Sequence, residues 1–203
     1  MRAMRFSLLV AAALTSACLA SPSAVMAAPV AVQVHGADGQ PLVGAVVTIH
    51  ISGTAAPRPQ GPYRMVQRDI AFMPQMLIVP VGAAVQFPNQ DKVRHHVYSF
   101  SRAKRFDLKL YGRDETRSVT FDKPGAVALG CNIHDAMSGV VYVTDTPFAA
   151  ATDASGQARF TVPAAGRAVV TVWHPSIRAG GSQLSQPLAI PAAGTVTRVT
   201  IRR

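Results

Sequence analysis

GAVALGCNIHDAMSGVVYV, residues 125 to 143, decides how this chain is read. Within it, CNIHDAM (131 to 137) places a thiol, an imidazole and a thioether in seven residues of a protein that has only two cysteines and six histidines. Sulfur and imidazole together are what copper and zinc prefer to bind. The flanks read as strands. Alternation along AVALGC puts Val127, Leu129 and Cys131 on one face and Ala128 and Gly130 on the other, so Cys131 continues a buried row. GVVYV then begins the return strand, with Val141 and Val143 sharing a side. His134 and Met137 lie on the connecting loop, within reach of Cys131.

Three donors from one loop leave a coordination sphere incomplete. The fourth is sought in HHV, residues 95 to 97. Successive strand residues point to opposite faces, so only one of His95 and His96 can face the loop. Periodicity alone leaves both choices open.

Outward from this pair the pattern stays the same: short runs rich in Val, Thr and Phe alternate with Gly, Pro, Asn and Asp clusters, and no convincing helix appears. The expectation is an all-β chain. VAVQV (30 to 34) and AVVTIHI (45 to 51) flank a turn at Asp38-Gly39; APRPQGP (56 to 62) breaks the pattern as a linker. The next strands are IAFM, MLIVPVG, AAVQF, HHVYSF, RSVTF, AVALGC and GVVYV, ending near Val143 before a second break at TDTP (144 to 147). Beyond it, ATDASGQARFTVPAAGRAVVTVW and VTRVTI read as three or four more strands. Two N-terminal strands are too few to bury a core alone. They are therefore expected to combine with the C-terminal ones into one small sandwich, segments 28–56 and 147–203, with the block 63–145 inserted between them or flanked by them.

The first 27 residues have the layout of a secretory signal peptide. Arg2 and Arg5 form a basic head, Phe6 to Leu14 an apolar run, and the small residues near Ala27 a cleavage site. A lipobox reading of Ser16-Ala17-Cys18 ranks second, because Thr15 stands where an aliphatic residue is expected. Loss of the leader removes Cys18 and leaves Cys131 as a lone thiol in an oxidising compartment, a liability unless it is buried or bound. The expected location is periplasmic, with no later segment apolar and long enough to span a membrane.

The net charge of +10 falls to +8 without the two leader arginines, and it is scattered, with Arg94, Arg102, Lys104, Arg105 and Lys109 the nearest thing to a cluster. No aromatic interleaving suits base stacking, and export argues against nucleic acid as a partner. An acidic protein surface fits the field better.

The block from Met65 to Val143 resembles the cupredoxins, the blue-copper family of plastocyanin and amicyanin. FMPQMLIVPVGAAVQFPN is similar to the family's opening, PGAVALGC to the strand into the cysteine, and MSGVVYV to the strand out of the site. The resemblance implies a cupredoxin Greek-key β-sandwich holding one type 1 copper ion on His95, Cys131, His134 and Met137. His96 then stands where the family usually has asparagine, and Asn132-Ile133 replace the proline often found in the loop. DGQPLVGA (38 to 45) and TDASG (152 to 156) look like turns of a carboxypeptidase regulatory-like, transthyretin-like sandwich.

The function implied is a periplasmic carrier of single electrons between redox proteins such as a c-type cytochrome and a dehydrogenase, working as a monomer. The alternative is a copper module for storage, delivery or sensing. An enzyme is not expected, since the His-x-His clusters of a multicopper oxidase are missing from the sequence. His35 and His50 are expected to be surface or satisfied strand residues, Met73 and Met76 core packing, and Trp173 a packing feature of the second sandwich.

Overall fold

The computed structural model describes residues 27–201. The signal-peptide and lipobox readings, Cys18 included, lie outside the described residues, apart from Ala27.

The described chain is built from strands. It opens with β1 (Ala27–His35) and β2 (Val46–Ile51). Ten more follow: β3 (Tyr63–Arg64), β4 (Val66–Arg68), β5 (Ala71–Met73), β6 (Met76–Pro80), β7 (Ala83–Pro88), β8 (His95–Phe100), β9 (Arg105–Tyr111), β10 (Thr116–Phe121), β11 (Gly125–Gly130) and β12 (Ser138–Thr144). The last five are β13 (Phe148–Ala151), β14 (Gln157–Pro163), β15 (Ala165–Trp173), β16 (Gln183–Ile190) and β17 (Thr195–Thr200). The helical content among the described residues is one 3-10 turn at Gly180–Ser182, and no helix there is long and apolar enough to cross a membrane.

Two layered cores result. Sheets β14-β1-β17 and β13-β2-β15-β16 enclose the first. The alternation of β1 sends Ala28, Val30, Val32 and Val34 inward, where they meet Val47, Ile49, Val170 and Val172. Full burial of each such side chain contributes about 1.5–3 kcal/mol. Sheet β6-β12-β11-β8-β9 packs over β10-β7-β3 and the β4-β5 hairpin around the second core, which includes Val85, Phe87, Val97, Phe121, Val127 and Val141. The architecture is thus all-β, with one sandwich set between strands of another.

Local chemistry explains how the outer strands find each other. Thr152 closes the first core: its hydroxyl accepts from the Ala45 N–H at 2.9 Å and donates to the Leu42 carbonyl at 2.6 Å. DGQPLVGA and TDASG therefore meet in space. Gly156, at φ +72, brings its backbone against Val34, where a Cβ would stand 2.6 Å from the carbonyl oxygen. The inner sandwich leaves and rejoins at neighbouring points, because Phe148 of β13 pairs with Ile49 of β2 and the Thr146 hydroxyl donates to the Ile49 carbonyl at 2.6 Å. Insertion at such a point leaves the outer sheet intact.

Strand content exceeds the sequence reading in three places: the short β3 and β4 precede the first strand expected in the middle block, β9 is a further strand within it, and the C-terminal part holds five strands rather than three or four. RFDLKLY alternates apolar with charged residues because it forms the edge of its sheet, with Phe106 and Leu108 packed on the core and Arg105, Asp107 and Lys109 turned outward. Trp173 packs further afield than expected: it meets Val46 and Tyr142, with the two rings 5.7 Å apart. Tyr142 points away from the core that Val141 and Val143 fill, so β12 is buried on both faces. Trp173→Ala should lower stability by about 3 kcal/mol through the loss of this contact, measured by urea denaturation.

Candidate metal centre

β11 delivers Cys131 to the site as the row Val127, Leu129, Cys131 runs off the strand end, and the thiol is buried. The chain then turns through Asn132 to Ala136, and the Met137 N–H closes the turn on the His134 carbonyl at 2.8 Å. Met137 returns to the interior and joins the core cluster that contains Cys131. Gly130, opposite Tyr98 on β8, is the last residue before the thiol; a Cβ there would stand 2.7 Å from the tyrosine ring. Glycine leaves the ring its place.

His95, at the start of β8, is fully buried and presents Nδ1 to the Cys131 Sγ at 3.9 Å. His134 presents its own Nδ1 at 3.7 Å from the same sulfur, and the two rings stand 5.0 Å apart. All three donor atoms lie within 4.8 Å of one another. Spacing tests the fit to an ion. With about 2.0 Å to nitrogen and about 2.3 Å to sulfur, donors at a trigonal 120° angle stand about 3.7 Å apart. The two sulfur–nitrogen separations, 3.9 and 3.7 Å, match that requirement. Two imidazoles and a thiolate, with a thioether in the same core, form a donor set suited to copper.

His96 is not brought to the site. Its Nε2 bonds to the Asp107 carboxylate on the opposite face, and Asp107 also accepts from the Lys109 N–H at 2.8 Å and its Nζ at 2.6 Å. Those lysine contacts come first among the causes that hold the Asp107 carboxyl well below the usual carboxylate range. The irregularity in β8–β9 pairing between His96 and Tyr98 makes room for this clamp.

A second carboxylate, unforeseen in the sequence reading, supports His95. The Asp91 Oδ2 sits 2.7 Å from His95 Nε2. That nitrogen donates the hydrogen bond, which leaves Nδ1 free to take an ion. Burial works to raise the Asp91 pKa, but hydrogen bonds from His95, Ile70 and Asp69 outweigh it and leave the group below its ordinary value. The only sequence signal for Asp91 was an acid in the PNQDKV loop, four residues before the histidine. Asn89 shapes that loop: its Oδ1 accepts from the Asp91 N–H at 2.9 Å, and its Nδ2 donates to the Val93 and Tyr111 carbonyls at 2.9 and 3.3 Å.

Of the other histidines, His35 departs from the expectation of a surface or satisfied residue: it is half-buried at the end of β1, and its buried Nδ1 has no hydrogen-bond partner among the described residues. His50 pairs with Asp145 at 2.7 Å on the surface, and His174 with Ser176. Met73 and Met76 are half-buried, and Met76 packs against the Tyr142–Trp173 contact.

No protein-family model matches the chain, and no curated protein does. Among solved structures, the chain is similar over part of its length to a purple cupredoxin from Nitrosopumilus maritimus, at 22% identity, covering 41% of this chain and 100% of that one, with a TM-score of 0.37. A reduced mutant of amicyanin aligns at 21% identity, over 48% of this chain and 98% of that one, with a TM-score of 0.39. A copper-containing nitrite reductase from Thermus scotoductus SA-01 aligns at 26% identity, over 47% of this chain and 25% of that one, with a TM-score of 0.40.

Asn89→Ala should destabilise the protein by about 1–3 kcal/mol, since it removes three hydrogen bonds, one of them to the buried Tyr111 carbonyl. Thermal unfolding of the metal-free protein measures that loss.

Proposed function

We propose that the sandwich of residues 63–145 is a cupredoxin-type domain that holds one type 1 copper ion on His95, Cys131, His134 and Met137 and carries single electrons between proteins of the periplasm. The observation that carries this reading is the convergence of His95 Nδ1, Cys131 Sγ and His134 Nδ1. When bound, copper would supply a one-electron couple, with His95, Cys131, His134 and Met137 as the residues that would hold it. The protein supplies the rigidity. His95 and Cys131 sit at the ends of adjacent strands, and Met137 is locked in the core, so the donors are held before any ion arrives.

Surface chemistry suits a docking partner. His134 is partly exposed, with Ile133 half exposed and Ala136 exposed beside it on the loop. Ile133 and Ala136, beside the exposed Asn132 and Asp135, give a redox protein such as a c-type cytochrome or a dehydrogenase an apolar contact near the imidazole edge. The basic balance of the chain steers an acidic partner to it. The outer strands, segments 28–56 and 147–203, then serve as a carboxypeptidase regulatory-like scaffold.

Adding Cu(II) to the purified protein should give an intense visible thiolate-to-copper band, and Cys131→Ser should abolish it. A colourless wild-type protein would overturn the reading. Met137→Leu should stay coloured with a shifted potential. Copper at a hundredfold excess over its Kd should stabilise the fold by about 2.7 kcal/mol, seen as a raised Tm. An electron carrier keeps its copper through repeated oxidation and reduction, whereas a delivery protein gives it up to a chelator.

A further inference from the structure

Asp91 makes more contacts than a loop aspartate needs. One oxygen, Oδ1, accepts from the Asp69 N–H at 2.7 Å; the other, Oδ2, accepts from the Ile70 N–H at 3.0 Å and from His95 Nε2 at 2.7 Å. The side chain is 12% exposed, and His95 is its one ion-pair partner among the described residues.

Asp69 and Ile70 are the two central residues of the β4–β5 hairpin, and both have φ of 56°. Two left-handed residues in a two-residue loop define the hairpin turn that Asn-Gly normally supplies. A β-branched residue is poorly suited to that region. Something must hold Ile70 there, and the Asp91 carboxylate receives both turn amides.

We infer that Asp91 is a positioning residue that fixes the Nε2–H tautomer of His95 and lowers the potential of the metal centre, using the β4–β5 turn as its anchor. This inference rests on the copper reading for the potential, but not for the tautomer. The carboxylate holds the ring so that Nδ1 faces Cys131, and the turn amides hold the carboxylate. Its negative charge, passed through the imidazole, makes Nδ1 a better donor to the more highly charged ion. Cu(II) is thereby favoured over Cu(I).

Three variants and one spectrum of the full chain test this. Asp91→Asn keeps an acceptor but removes the charge; the visible band should survive while Cu(II) affinity falls about tenfold relative to Cu(I), a rise in potential of about 59 mV. Asp91→Ala removes the acceptor too and should cost about 10–100-fold in metal affinity. Ile70→Gly relaxes the turn without touching the carboxylate, and should leave the potential where it was. If Asp91→Asn and Ile70→Gly alter stability alike and neither moves the potential, Asp91 is a turn clamp only and the inference is overturned.

Nitrogen-15 NMR of the metal-free wild-type protein gives the independent readout. His95 should be the Nε2–H tautomer, and finding the Nδ1–H form would overturn the inference whatever the variants do. A wild-type protein that shows this tautomer but no visible band with Cu(II) would instead overturn the copper reading, and would remove the potential from the role of Asp91 while leaving the tautomer assignment intact.

Discussion

The register of β11 against β8, with Gly130 opposite Tyr98, is the constraint on which the site depends. Side chains alternate along a strand, so a slip of one residue would exchange faces along the whole of β8. His96 would then turn toward Cys131, and His95 toward Asp107. Gly130 leaves room for the Tyr98 ring in the observed register: a Cβ there would stand 2.7 Å from the ring, which would have to shift. The register of β8 decides which histidine reaches the thiol.

Carboxylates secure the same choice. Adjacent histidines on one strand are ambiguous by chemistry, yet here each has its own aspartate on its own face: Asp91 for His95 and Asp107 for His96. Burying an imidazole requires a partner for its N–H. His95 uses Nε2 for that purpose and keeps Nδ1 for the Cys131 side, whereas His96 has Nε2 on Asp107 and its buried Nδ1 without a partner. The two rings differ in what surrounds them and not in type.

These particulars show what could and could not be read from the chain. The row Val127, Leu129, Cys131 and the Cys-x-x-His-x-x-Met loop were legible because alternation and loop spacing are local properties. Alternation left the choice between His95 and His96 open, since it turns on the pairing partner of β8 and on a bulge, and only the resemblance pointed to His95. Asp91 escaped because its role depends on three donors from two segments that are distant in sequence from the Cys131 loop. β9 escaped for a different reason: an edge strand needs only one apolar face, and Arg105, Asp107 and Lys109 made it look like a solvated connection. Tyr142 read as a residue between two core valines. Its burial comes from Trp173, which only the return of the chain after β14 brings into place.

The position of the tether follows from the same strands. β12 begins beside the metal loop at Ser138 and ends at Thr144, whose Oγ1 donates to the Thr146 carbonyl as the chain passes back to β13. Six steps of about 3.4 Å from Ser138 to Thr144 place the junction roughly 20 Å from the loop. Tyr142 and Trp173 add a second contact near the junction end of β12, and Met76 and Val140, packed against it, extend it back along the strand. The outer sandwich therefore holds the inner one at two points on β12, while the loop from Cys131 to Met137 takes its shape from β8, β11 and the core beneath it.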